Sequence, residues 1–171
     1  MALKRRMSLL LIVVCLMLCC CGAAVAESAL QFDSSREVAA YLDEVGRKYA
    51  GPESSGSSDR FLIRYTPSKA TELEAISVQA YVYEDYATVA ALNLLQPDTS
   101  DMLKLYQTLE SINESVSFVR FVYDAKNNVI YSRADIPYVA DASFGQMVER
   151  CVYLTARVVD EHYNDLTALK Q

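Results

Sequence analysis

The sequence predicts an α+β domain, with helices packed on one antiparallel sheet in the order α-β-β-β-α-β-β-α. Three observations carry this. Several short segments alternate apolar and polar residues with period two, the mark of strands exposed on one face. Three longer segments repeat their apolar residues at helical spacing. The strand-like segments follow one another across turns too short for a parallel crossover, which makes the sheet antiparallel.

The first helix is expected over residues 35 to 49. Ser34 and Glu37 have capping-box spacing, in which each side chain satisfies the other's free backbone donor. Val38, Tyr41, Leu42, Val45 and Tyr49 recur on one face. Gly51-Pro52 stops the helix, and Glu53 to Ser58 reads as a flexible polar linker. Phe61, Ile63 and Tyr65 alternate with Leu62, Arg64 and Thr66, ending at Pro67. Ile76, Val78, Ala80 and Val82 alternate with Ser77, Gln79, Tyr81 and Tyr83. Glu84-Asp85 is a hairpin turn, and Tyr86 to Leu95 is taken as the returning strand although its alanines also suit a helix.

Thr99 or Ser100 caps the second helix, whose buried stripe is Met102, Leu105, Tyr106, Leu109, Ile112 and Val116. Val119, Phe121 and Tyr123 then alternate with Phe118, Arg120 and Val122, turn over Asp124 to Asn128, and return over Val129 to Asp135. Asp141 or Ser143 begins the last helix, with Phe144, Met147, Val148, Cys151, Leu154, Thr155, Val158, His162 and Leu166 on one side.

Residues 1 to 26 read as a secretory signal peptide and are set aside from the fold. Lys4, Arg5 and Arg6 form a basic start, Leu9 to Leu18 is apolar, and Ala24-Val25-Ala26 supplies a small-x-small cleavage site before Glu27. The apolar run is short against the ~20 residues of a membrane span. The alternatives are an uncleaved anchor, or a membrane-tethered lipoprotein acylated at Cys19, Cys20 or Cys21. The expected location is therefore outside the cytoplasm: periplasm, envelope or medium. Cleavage leaves residues 27–171 as a single domain of 145 residues with 13 basic against 22 acidic side chains. That acidity argues against nucleic acid and anionic membranes as partners, leaving the membrane only through lipidation. Cys151 is then the sole cysteine, so no disulfide framework exists.

No catalytic, cofactor or metal constellation is legible. His162 is the only histidine, and Cys151 lies eleven positions before it, ~16 Å along a continuous helix at 1.5 Å per residue, beyond hydrogen-bond reach. Glu84-Asp85, Asp98 with Asp101 and Asp160-Glu161 are acidic pairs, the first two at turn or cap positions. No calcium loop, glycine-rich phosphate loop, GxSxG or CxxC is present. Asn113-Glu114-Ser115 matches a glycosylation acceptor, a triplet short enough to arise by chance. Twelve tyrosines and no tryptophan are more informative. Tyr81 and Tyr83 fall on the strand face opposite Ile76, Val78 and Val82, and Tyr123 and Tyr131 are placed to pair across the later hairpin. An apolar body with a polar tip suits a half-exposed sheet face or an interface. These four are the candidate partner-binding residues.

From the first helix to the last, the chain resembles the YbjN-type family of bacterial sensory transduction regulators. The resemblance rests chiefly on LYQTLESINESVSFVRFVYDAKNNVIYSRADIP, residues 105 to 137. There a helix ends near Asn113, Phe118 and Phe121 follow, Asp124 and Asn128 turn, and Asp135-Ile136-Pro137 closes the hairpin. The ending VVDEHYNDL, Val158 to Leu166, also suits that family. The resemblance implies the fold of type III secretion chaperones. It also implies a non-enzymatic homodimer that binds a protein or peptide, here in an exported form serving envelope sensing or signal transduction. The reading from another class is a small-ligand carrier or minor hydrolase with its pocket between the sheet and the last helix.

Overall fold

The computed structural model describes residues 30–139 and 143–170. The leader with Cys19, Cys20 and Cys21, and Asp141 as a helix start, lie outside the described residues. The chain runs α1 (Asp33–Glu44), β1 (Ala50–Ser54), β2 (Asp59–Tyr65), β3 (Ile76–Val82), β4 (Tyr86–Leu95), α2 (Met102–Ser115), β5 (Arg120–Asp124), β6 (Val129–Pro137) and α3 (Phe144–Thr167). The α+β class and antiparallel sheet are as expected. The sheet has six strands in the order β1-β2-β3-β4-β6-β5, one more than the sequence suggested.

The added strand is β1. Its residues read as a linker because they are polar and broken by glycine and proline, yet Glu53 and Ser54 pair with Arg60 and Asp59. An edge strand tolerates proline because the missing donor would have faced outward. The bulge between Ala50 and Glu53 holds Gly51 at φ +102, where a Cβ would come within 2.6 Å of the Arg60 carbonyl oxygen. The serines that suggested flexibility make a hairpin turn instead: Ser55 N donates to Ser58 O at 3.0 Å. Asp59 is fully buried, and accepts from Ser54 Oγ and from Gln31 N.

Helix α1 is shorter than expected because Gly46, at φ +66, terminates it; Gly46 N donates to Asp43 O and Arg47 N to Leu42 O. Tyr49 thus lies beyond the helix, where its ring meets Phe61 edge-on at 5.5 Å. The capping box does not form. Ser34 and Ser35 sit inside the first turn and are buried, Ser34 Oγ donates to Tyr83 O at 2.6 Å, and Glu37 Oε1 accepts from Tyr138 OH at 2.9 Å. Tertiary partners have claimed the side chains that local spacing assigned to the cap.

Asp101, rather than Thr99 or Ser100, caps α2 by accepting from Lys104 N at 3.0 Å. Leu105, Leu109 and Ile112 form the buried stripe of α2, whereas Tyr106 is 55% exposed. Phe118 stands outside β5, 81% exposed and at φ +71. In α3 the buried set widens to include Val152, Ala156, Val159 and Tyr163, while Met147 is 38% exposed. The broader face follows from position: α3 packs on β3, β4 and β6 and also against α1.

The core lies between this helical layer and one face of the sheet. Phe61, Ile63, Val78, Val82, Val89 and Ile130 meet Val38, Leu42, Leu105, Phe144, Val152 and Val159. Each such side chain, fully removed from water, contributes about 1.5–3 kcal/mol. Loop 66–75 is fastened to α3 by Asn164, whose Nδ2 donates to Lys69 O at 3.1 Å, and by a carboxylate that collects four donors. Asp160 accepts from the backbone N of Ser68, Lys69 and Ala70 at 2.9, 2.8 and 2.9 Å, and from Ser68 Oγ at 2.5 Å.

Candidate functional site: the uncovered face of the sheet

All three helices lie on one side of the sheet, since the strand residues that meet them, such as Phe61, Ala80, Val89, Ala134 and Phe121, share that face. The alternate residues point the other way, and no described element covers them. Pairing registers arrange them in rows across the strands. One row reads Glu53, Arg60, Tyr81, Thr88, Asp135. The next reads Leu62, Gln79, Ala90, Arg133, Arg120. A third begins with Arg64 and Ser77 on β2 and β3 and ends with Tyr131 and Val122 on β6 and β5.

Short polar contacts hold these side chains in place. Arg60 bonds Glu53 and reaches Gln79 Oε1 at 3.4 Å; Tyr81 OH donates to the same oxygen at 2.5 Å. Thr88 Oγ1 donates to Asp135 Oδ1 at 2.6 Å, and Arg133 Nε lies 3.0 and 2.9 Å from the two Asp135 oxygens. The Asp135 hydrogen bond raises the Arg133 pKa above its usual value. Arg120 caps the end of α2, its Nη1 donating to Asn113 O and Val116 O.

The four tyrosines singled out from the sequence do not form one set. Tyr81 and Tyr131 lie on the uncovered face. Tyr83 lies just past β3, in the hairpin turn, and stacks on Tyr86 with centroids 4.3 Å apart and planes 11° from parallel. Tyr123 does not pair with Tyr131. Its register partner is Ile130, while Tyr131 faces Val122, and adjacent strand residues point to opposite sides. Tyr123 sits on the helical side, edge-on to Tyr106 at 6.4 Å, with its OH donating to Asn128 Oδ1 at 2.9 Å. The hairpin register, with Asp124 opposite Val129, sets Tyr131 one position past the residue that faces Tyr123.

Sequence reasoning overlooked the arginines. Arg60, Arg64, Arg120 and Arg133 all alternate with buried residues, so period two already placed them beside the tyrosines. The strand positions of this face carry four arginines, no lysine and three carboxylates, Glu53, Asp124 and Asp135. The other described residues carry nine lysines and arginines against seventeen carboxylates.

The remaining chemistry-bearing residues lie elsewhere. Cys151 is buried in α3, and burial pushes its thiol up to about 11. Helix α3 is continuous from Phe144 to Thr167, which keeps Cys151 and His162 apart. His162 lies in a groove of about 560 Å³ between α2 and α3, its Nδ1 3.1 Å from Asp165 Oδ2. Asn113 is engaged with the Phe121 backbone through both side-chain heteroatoms. Among the described residues, no group of three or more His, Cys, Asp or Glu could hold a metal ion, and no helix is long and apolar enough to cross a membrane.

No protein-family model matches the chain, and no curated protein matches it.

Proposed function

We propose that the chain is an exported, non-enzymatic protein-binding or regulatory module, acting in envelope sensing or signal transduction and working as a homodimer. Its kinship is proposed to be with the YbjN-type family. The observation that carries the binding role is the uncovered sheet face, where Tyr81, Tyr86 and Tyr131 stand among arginines with no lysine between them. Tyrosine and arginine enrichment with lysine depletion is the composition of interface centres, because both side chains contribute large contact areas at low entropic cost or with directional hydrogen bonds. The same side chains are pre-set by contacts to their neighbours, which lowers the ordering cost of binding.

The test is affinity capture from the cell envelope with three baits: the mature chain, Tyr131→Ser on the open face, and Arg157→Gln on the helical layer. The reading expects a partner that the first and third baits retain and the second loses. Retention by all three, or turnover of a small substrate by the purified chain, would overturn it. Light scattering on the same sample reports the dimer. Mass spectrometry of the mature N-terminus separates free export, starting at Glu27, from acylation at Cys19, Cys20 or Cys21.

A further inference from the structure

Resting on that reading, we infer that the partner presents an acidic, extended polypeptide segment to the uncovered face. The charge distribution carries this. The face has more arginines than carboxylates, four against three, whereas among the other described residues carboxylates outnumber basic residues seventeen to nine. Two of the three carboxylates are occupied with arginines of the face itself, Glu53 with Arg60 and Asp135 with Arg133, and Asp124 accepts from Lys126 N and Asn127 N in its own turn. Arg120 and Arg133 are direct cross-strand partners; Arg133 is paired with Asp135 and Arg120 donates to Asn113 O and Val116 O, so that among the described residues the Arg120 charge faces no carboxylate. An anionic group laid beside Arg120 would balance that charge. Arg64 is exposed at the other end of the face, on β2.

The dimensions fit a short segment. From β2 to β5 there are four inter-strand spacings, or ~19 Å at ~4.8 Å each, which an extended chain crosses in about six residues. Carboxylates on such a segment would meet Arg64 on one side of the face and Arg133 with Arg120 on the other. Between them lie the small side chains of Thr88 and Ala90, with Tyr81 and Tyr131 as flanking platforms. Guanidinium groups bind carboxylates with two parallel hydrogen bonds, which explains why the basic residues here are arginines throughout.

Fluorescence anisotropy on the mature chain tests this, with labelled peptides of about ten residues carrying glutamate at alternate positions, and their glutamine and lysine counterparts. The glutamate peptide is expected to bind about tenfold more tightly than the glutamine peptide, and to weaken as salt rises. Arg64→Gln should reduce that preference, Arg64→Lys should restore part of it, and Arg157→Gln on α3 should leave it intact. A thermal melt of each variant reports folding. Equal binding of glutamate and glutamine peptides, or no binding of any, overturns the acidic segment; the capture experiment then decides separately whether the binding module survives. Equal loss in Arg157→Gln, or tighter binding to heparin or anionic vesicles than to the glutamate peptide, also overturns it.

Discussion

Asn113 and Phe121 are joined by two hydrogen bonds: Asn113 Nδ2 donates to Phe121 O at 2.9 Å and Asn113 Oδ1 accepts from Phe121 N at 2.7 Å. The side-chain amide of the helix thus plays the part of a neighbouring strand. β5 is the outer strand of the sheet, and an unpaired edge is a template for pairing with another chain. Asn113 occupies the outward N–H and C=O of one residue of that edge and fixes the end of α2 onto it.

Replacing Asn113 by alanine leaves both Phe121 groups without their partner and uncovers the edge. We expect a loss of about 1–3 kcal/mol in urea unfolding, and larger species in light scattering at high protein concentration. Asn113→Asp keeps the acceptor and loses the donor, so it should fall between wild type and alanine. An alanine variant as stable and monodisperse as wild type would show that the pair is incidental.

Gly145 marks a close approach of α1 and α3. A Cβ there would sit 2.6 Å from Glu37 O and 2.6 Å from Tyr41 Cβ, neither of which is the end of a flexible chain. Gly145→Ala therefore sets a steric cost of ~1–3 kcal/mol against the ~1 kcal/mol gain in helix propensity. Net destabilisation is expected in chemical denaturation. Gly46→Ala provides the comparison, since nothing lies within 4 Å of its Cβ and only the strained φ of +66 opposes the change. A stabilised Gly145→Ala would mean that the helices are not in contact there.

Phe118 is held in the left-handed region with its ring in solvent, so backbone strain is not repaid by packing. Phe118→Gly should stabilise the chain by ~1 kcal/mol in thermal or urea unfolding, as glycine enters this region without the Cβ clash. Destabilisation instead would locate a packing partner for the ring.

Long periodic segments were the readily legible part of the fold. β3 and α2 fall where alternation and helical spacing put them, because their apolar residues have one face to bury, whereas β4 is legible only through the short turn at Glu84-Asp85 that returns the chain beside β3. What local pattern could not show was competition for polar side chains. Ser34 and Glu37 had capping spacing, yet Tyr83 O and Tyr138 OH, far away in sequence, engage them. β1 was hidden for a related reason, since a five-residue edge strand buries too little to leave an apolar signature. In the candidate site, Tyr81 and Tyr131 were legible from period two, whereas separating Tyr123 from Tyr131 needed the hairpin register.

Asp160 couples loop 66–75 to α3 in a pH-dependent way. Burial pushes its carboxyl upward, but the backbone donors of Ser68, Lys69 and Ala70 and the Ser68 hydroxyl outweigh this and hold it well below the usual carboxylate range. A carboxyl lowered in the folded state stabilises fully above its unfolded value of ~3.9, and that stability is lost as pH falls below it toward the folded value. Wild type should therefore lose stability between about pH 5 and pH 2 more steeply than Asp160→Asn, which cannot ionise and keeps one acceptor. At neutral pH the variant should be less stable, with faster amide exchange at Ser68, Lys69 and Ala70 and little change in the strands. The two curves should converge in acid, since protonating Asp160 removes the same charge that the substitution removes. Parallel curves across that range would show that the carboxylate charge does not hold the loop.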